Sequence, residues 1–499
     1  MDYLVGSLEE FKFWTDPKLY DSFTNNIDMN SFWKMCVKKY PNNIAIENEE
    51  YKLTYAELDI KASELRSAII EEGCKEKDKI AIIGDNTIEC VYSFLASMTA
   101  GCASVIIPPY FDCNKIEKFV KSFGISAIVY EKKFEETINE LKEIIPNCAF
   151  IRTDKKGLAE YSSVNSNLED DCLIMFTGGT TGNPKGAILS HKAVFRSTLN
   201  GCIGFKSCEN QRFLLVLPLF HVFGLIRCVL TCFYMGGDVY IVSSEKSIIQ
   251  DIKNFRPTFI AFVPTLAELV LNLSKKIGNI IYPELKIIAI GAASVPQYLI
   301  EEYTKMGIDI FPGYGMTETA CIALGNPIPM EKVNSVGMPY PNEKIKIVNG
   351  ELWIKGDNLL TDYIGTDEHA WNDEGWFQTG DLARIDEDGY VYILGRLKDV
   401  IVLKNGENIY PEELESRFNK LESVKDSEVY VDNDGKEGFL ALDVVLRDVE
   451  ESKESILDKL WEINNNQRYV ERVRKINIRE NDFERTANKK IVRRRKCQE

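Results

Sequence analysis

The sequence has no surplus of positive charge and no closely paired cysteines. Its 60 Lys+Arg stand against 76 Asp+Glu, a net charge of −16. That balance argues against neutralising a phosphate polymer over the whole surface, so general nucleic-acid binding is set aside. The thirteen cysteines are an odd, scattered set. No two have the Cys-x-x-Cys spacing of a zinc ribbon or a thiol oxidoreductase, and a reduced compartment suits them best. The opening MDYLVGSLEEFKFWTD lacks both the basic start and the apolar centre of a signal peptide. Short-period repeats and low-complexity stretches are missing as well. One apolar run, Phe213 to Gly237, is long enough to suggest a membrane span. It contains Pro218, His221, Gly224 and Arg227, and an ionisable pair near its middle is costly in lipid. It reads instead as a buried strand, a turn and a buried helix, so no transmembrane segment is expected and the expected location is cytoplasmic.

What the sequence does hold is core-forming material: 45% hydrophobic residues in a chain of 499, enough for about two to four folding units. From about 79 to 315, short Val/Ile/Leu runs alternate with helix-like periods, which predicts an α/β fold of mostly parallel sheet covered by helices. KIAIIGDNT (79–87), ASVIIPP (103–109), SAIVYEKK (126–133), CLIMFTGG (172–179), RFLLVLP (212–218), DVYIVSS (238–244), PTFIAFVP (257–264) and LKIIAIGAA (285–293) are the predicted strands. Their unbroken apolar character predicts burial on both faces. The stripe Ile248, Ile249, Ile252, Phe255 predicts a helix. After about 345 the strands become shorter and alternating, with DG and NG turns. Beyond Gly395 the chain is richer in charge: a helix from about Pro411 to Leu421, a hairpin-like VYVDNDGKEGFLALDVVL, a helix near 454–470 and a strand near 473–479. The predicted division is a large domain, 1–395, and a small α+β domain, 396–499.

The segment FTGGTTGNPKGAILSH (176–191) reads as a strand, a Gly/Thr-rich loop with one lysine, and a helix capped by Ser190. Gly178, Gly179 and Gly182 let backbone N–H groups turn toward an oxyanion, Thr177, Thr180 and Thr181 add hydroxyl donors, and Lys185 adds a point charge. The loop is built to hold phosphates. It is not a Walker A loop, because Pro184 precedes Lys185 and Gly186 follows it.

With this loop come PLFHVFG (218–224), GAASVP (291–296), GYGMTET (313–319), SVGMP (335–339), GELWIKG (350–356), WFQTGDLA (376–383), GRLKDVIVLKNGENIYPEELE (395–415) and RTANKKIVR (485–493). In this order, over nearly the whole length, the chain resembles the adenylate-forming superfamily of acyl- and aryl-CoA ligases, stand-alone adenylation domains and luciferases. LKNGENIYPEE is closest in pattern to the fatty-acyl-CoA ligase branch. The resemblance implies a large amino-terminal domain that includes a distorted β-barrel-like part, and a small mobile carboxy-terminal domain. It implies ATP, Mg²⁺ and CoA as cofactors and cosubstrates, and a carboxylic acid as substrate. The acid first becomes an acyl adenylate with release of pyrophosphate, and a thiol then displaces AMP.

The resemblance also assigns roles. Lys490 would contact the acyl carboxylate and α-phosphate, Glu318 would bind Mg²⁺, and Thr317 would meet the α-phosphate. Tyr314 would stack on adenine, beside Gly315, Met316, Gly291 and Ala292. Asp381 would accept the ribose hydroxyls, with Arg396 beside it. His221 would gate an acid pocket lined by Phe223, Arg227, Ala293, Gly313 and Gly337. Lys398 would be the hinge that swaps Lys490 for the KNGEN loop, whose Gly406 would line the thiol path. The chain departs from common family patterns at Gly178, Val402, Asn405 and Lys489. Arg227 also departs from relatives with plain acids, and two readings stand for it: a partner for a second anionic or polar group of the substrate, or a paired structural arginine facing away. The thiol is expected to be that of CoA or of a separate carrier protein, since no carrier domain is seen after the lysine motif, and a monomer or homodimer is expected. A non-catalytic relative is disfavoured by the presence of Lys185, Thr317, Glu318, Asp381, Arg396 and Lys490.

Overall fold

The Val/Ile-rich runs form two seven-stranded sheets. A computed structural model describes the chain except residues 1–2, 178–184, 245, 279–280, 282, 294, 326–329, 404–407, 434–437, 448–450, 486–490 and 494–499. One sheet has the order Asp309–Pro312, Ile287–Ile290, Phe259–Phe262, Arg212–Leu215, Asp238–Ile241, Ile44–Glu47, Lys52–Thr54, parallel apart from its last pair. The other runs Tyr363–Ile364, Gly186–Ser190, Asp171–Phe176, Ala103–Ile107, Lys79–Ile83, Ile125–Tyr130, Ala149–Arg152, parallel from Asp171–Phe176 onward. All eight predicted strands are present. Five residues of Ala103–Ile107 and four of Phe259–Phe262 are all buried, as expected of strands covered on both faces.

Helices Ile88–Thr99 and His191–Cys202 are buried almost all round. A helix apolar on every side belongs between two surfaces, and these share one core with the facing sides of both sheets, Ile80, Ile82 and Ile106 from one and Phe213, Leu215 and Phe259 from the other. Helices Ile248–Phe255, Pro264–Ile277 and Gln297–Lys305 cover the outer face of the first sheet, and Cys113–Phe123 and Glu135–Ile144 that of the second. The result is five alternating layers of helix and sheet. The apolar run at 213–237 is strand Arg212–Leu215, a turn, a π-helical segment Phe223–Leu230 and helix Thr231–Tyr234. Among the described residues no helix is long and apolar enough to cross a membrane.

The barrel-like part is an open antiparallel sheet, Leu4–Val5, Lys344–Val348, Glu351–Lys355, Phe377–Ile385, Val391–Arg396. Beyond it, helix Pro411–Phe418, hairpin Val424–Asn433 with Gly438–Leu446, helix Lys453–Asn465 and strand Lys475–Arg479 close over a separate core that runs from Ile401 to Val473. One correction concerns 176–191. Gly186–Ser190 is a strand antiparallel to Asp171–Phe176, so the Gly/Thr-rich loop joins two strands and not a strand to a helix. Ser190 does cap helix His191–Cys202, its side chain accepting the Ala193 N–H.

His191 is 1% exposed. Its Nδ1 accepts the Met29 N–H at 3.1 Å, and burial lowers its pKa from 6.5 to about 4. Between those values the unfolded chain binds a proton that the folded chain does not, so stability present above pH 6.5 is lost as pH falls toward 4. The loss from this residue is roughly 2 kcal/mol at pH 5. Thermal unfolding at pH 7 and pH 5 is expected to show a smaller drop for His191→Asn than for the wild-type chain.

Candidate active site

The loops that leave the carboxyl ends of strands in both parallel sheets open into one cleft of about 3270 Å³. This is where open α/β sheets place ligands. Its wall also includes residues of the small core's surroundings, among them Glu412, Asp426, Arg485 and Arg493.

At one rim, Thr177 is buried and its N–H donates to the Lys185 carbonyl at 2.9 Å. That bond closes the base of the Gly/Thr-rich loop. Lys185 Nζ lies 2.6 Å from Glu368 Oε2 and 3.4 Å from the Tyr363 ring centroid, so its charge is held at the rim by an ion pair and a ring face. Gly178, Gly179, Thr180, Thr181 and Gly182 lie outside the described residues.

The floor comes from the turn after strand Asp309–Pro312. The Tyr314 N–H and C=O both bond the Leu324 backbone or its neighbour Ala323. A side chain at Gly315 would meet the Cys321 carbonyl at 1.8 Å, so glycine is required there by close backbone approach. Tyr314 OH donates to Asp381 Oδ2 at 2.5 Å and Arg396 Nε to Asp381 Oδ1 at 2.7 Å. Asp381 and Arg396 face each other across strands Phe377–Ile385 and Val391–Arg396. Asp381 is 4% exposed. Burial and the Asp381 carboxylate push the Tyr314 hydroxyl well above its ordinary range, so it stays a donor. Burial works against the Arg396 charge, yet Asp381 and the neighbouring acids raise its pKa.

Thr317 and Glu318 sit in the single 3₁₀ turn Thr317–Thr319, after Met316, whose N–H donates to Thr319 Oγ1 at 3.0 Å. Burial raises the Glu318 carboxyl above the usual range, against the Tyr363 hydroxyl and the Lys185 charge. Tyr363 OH donates to Glu318 Oε1 at 3.1 Å. Among the described residues no group of three or more His, Cys, Asp or Glu could hold a metal by itself. One carboxylate, Glu318, on the wall of a cleft roomy enough for a nucleotide fits Mg²⁺, which takes most of its ligands from phosphates and water.

The acid side is built on a tight turn. The Gly224 and Leu225 N–H groups donate to the His221 carbonyl, and the His221 N–H to the Pro218 carbonyl. A side chain at Gly224 would meet that Pro218 carbonyl at 2.2 Å. His221 lines the cleft with its ring 4.7 Å from that of Phe220. Phe223 packs on Gly291, where an added methyl would be 3.1 Å from the ring. Ala292 is held at φ 68°, a conformation costly for a residue with a Cβ, and Ala293 and Gly313 complete this wall. Arg227 is 4% exposed and lines the cleft. It is not the ion-paired arginine that one reading anticipated, since no described ion pair engages it.

Gly337 is the misplaced residue of this group. Its neighbours Ser335 and Val336 line the cleft and it does not. It has φ 94°, and an added Cβ would lie 1.8 Å from the Gly325 carbonyl oxygen, so it serves the packing of Met338–Pro339 against Leu324–Gly325.

Lys398 lies in the exposed 3₁₀ turn Leu397–Asp399, on the cleft wall and between the last buried residue of the large core, Val391, and the first of the small one, Ile401. Gly406 and Lys490 lie outside the described residues. Arg485 and Ile491 form an isolated antiparallel bridge and line the cleft. Sequence reasoning missed Tyr363 and Glu368, which hold Lys185 and Glu318, and the part-exposed Glu412, which lies 3.7 Å from Arg493 Nη2 and whose carboxyl is raised above its usual range by desolvation. Tyr363 reaches the site only because Tyr363–Ile364 pairs with Gly186–Ala187, a contact that no local pattern announces.

A model of the AMP-binding enzyme family matches residues 33–364. Feruloyl-CoA synthase of an Amycolatopsis species is 28% identical over 399 residues, 76% of this chain and 80% of that protein. The 2-succinylbenzoate–CoA ligase of Bacillus subtilis is 28% identical over 417 residues, 80% and 84% of the two chains. The structure of the Bacillus subtilis O-succinylbenzoate coenzyme A synthetase with ATP and magnesium ion superposes with a TM-score of 0.80 at 25% identity, covering 93% of this chain and 98% of that one. These names do not single out the fatty-acyl branch suggested by residues 403–413.

Gly337→Ala is expected to cost about 3 kcal/mol of stability, because it adds both overpacking and backbone strain. Gly313→Ala, whose new Cβ would meet nothing closer than the Leu324 carbonyl at 3.5 Å, is expected to unfold within about 0.5 kcal/mol of the wild-type chain in denaturant titrations.

Proposed function

The chain belongs to the AMP-binding enzyme family, and from that footing we propose that it is an ATP-dependent acid–CoA ligase. A carboxylate oxygen attacks the α-phosphorus of ATP and pyrophosphate leaves. The CoA sulfur then attacks the acyl carbon of the mixed anhydride and AMP leaves. The observation that carries the reading is the Tyr314–Asp381–Arg396 cluster on the floor of a cleft flanked by Lys185 and Glu318. The named relatives, a feruloyl-CoA synthase and 2-succinylbenzoate–CoA ligases, support a CoA thioester of an organic acid as product.

The residue roles follow from charge. Two anions meet in the first step, so fixed donors are needed where negative charge gathers. Lys185 and the Thr177 hydroxyl face the β- and γ-phosphates and Thr317 the α-phosphate. Lys490 supplies the cation at the point of attack. Glu318 is the residue that would hold Mg²⁺, which when bound offsets phosphate charge. Asp381, already locked by two donors, has acceptor capacity for ribose hydroxyls, and the Tyr314 ring offers a face to adenine. His221 and Phe223 close the acid side. The small domain, 396–499, turns at Lys398 between the two steps, which requires breaking the contact of Arg447 with Glu268 Oε1 and Tyr298 OH, at 2.6 and 3.1 Å.

The test is acid-dependent pyrophosphate release across a panel of aromatic, aliphatic and dicarboxylic acids, with mass detection of acyl-AMP and acyl-CoA. Thioester formed only on a carrier protein and never on CoA would replace CoA as acceptor. Lys490→Ala is expected to slow acyl-AMP formation on the order of 10²–10³-fold, as loss of an oxyanion-stabilising group does. Asp381→Asn is expected to raise KM for ATP on the order of 10-fold, since a charge-assisted bond is weakened, and AMP titration calorimetry checks the same loss in binding.

A further inference from the structure

Arg227 carries a charge that no described residue answers with an ion pair. Its side chain enters from the π-helical segment Phe223–Leu230, one turn past Phe223, and lines the cleft on the acid side with Phe223, Phe311 and Cys321. The guanidinium carbon lies 4.6 Å from the Phe259 ring centroid and 5.4 Å from that of Phe205. Nη1 is buried and has no hydrogen-bond partner. Among the described residues no carboxylate is within ion-pair distance and no hydrogen bond to the guanidinium is formed. The titratable groups that feel its charge are the Cys202, Cys228 and Cys321 thiols, which burial pushes up and so keeps neutral. They give it no counter-charge.

An arginine cannot shed its proton to escape such a place. Ring faces offset part of the cost of burying it, but a buried cation is ordinarily retained only with an anion beside it. The apolar surroundings that make the unpaired state expensive also strengthen any ion pair formed there. Arg227 is therefore suited to a bidentate bond with a planar anion.

We infer that the acid this chain activates bears a second carboxylate, distal to the one that reacts, and that Arg227 receives it at the base of the pocket. The inference rests on the ligase reading above. Arg227 is then the residue that sets substrate class, and it takes no part in the bond changes themselves.

Matched acids that differ only in the presence of a distal carboxylate, on aromatic and short aliphatic frames, separate the possibilities by pyrophosphate release with the full chain and its Arg227→Gln and Arg227→Met variants. The wild-type chain is expected to favour the dianionic member of at least one pair roughly 10–100-fold in kcat/KM, the range of a hydrogen bond to a charged group. The variants are expected to lose that preference mainly through KM. In thermal unfolding, the dianionic acid and not its monoanionic partner should raise the Tm of the wild-type chain, a readout that stands even where a variant fails to fold. Equal use of both members of every pair by the wild-type chain, or a preference that survives both replacements, would overturn the inference and leave the ligase reading in place. Failure of every acid to release pyrophosphate removes that reading and the inference with it.

Discussion

One buried carboxylate ties the cleft together. Asp381 accepts the Tyr314 hydroxyl on one oxygen and the Arg396 guanidinium on the other. It thereby links a turn of the first parallel sheet to two strands of the antiparallel sheet. Removing Asp381 takes from the Tyr314 hydroxyl and the Arg396 guanidinium the acceptor they share, and removing either of them leaves a buried carboxylate short of one donor, a loss larger than the net gain of a single bond. The three groups are thus held in place by the penalty for parting, and the floor of the site is set before any ligand arrives.

Around that floor the backbone is strained. Ala292, Ala320 and Cys321 all have positive φ, and the segment that carries Phe223 and Arg227 is wound as a π-helix, a form concentrated at functional sites. Each such residue costs of order 1–3 kcal/mol. The five-layer body can bear this because both its sheets are buried on two faces. A separate small core begins at Ile401, just past the Leu397–Asp399 turn.

Much of this was legible in one dimension. The eight Val/Ile/Leu runs became strands, because an unbroken apolar run of four to eight residues has few other places to go. Thr177, Lys185, His221, Phe223, Tyr314, Thr317, Glu318, Asp381, Arg396 and Lys398 all reached one cleft. Strand Gly186–Ser190 was not legible: it is short, starts with glycine and follows a loop whose phosphate-binding look suggested a helix. Gly337 looked like pocket lining and proved to be a backbone contact with Gly325, since a glycine in sequence does not reveal what presses on it.

The chain's own order of residues determined the class of chemistry: a threonine- and glycine-rich loop with one lysine, an acidic turn and a terminal lysine motif announce phosphate handling wherever they lie. The change from long buried strands to short alternating ones also pointed to a second region, where a separate core runs from Ile401 to Val473. Only the folded arrangement decided which charges answer one another. Lys185 found Glu368 and Tyr363, far along the chain, by strand pairing, whereas Arg227 was left among phenylalanines with no anion among the described residues. Pairing of charges depends on distances of a few ångströms between distant segments, and that information exists only once the sheets have closed.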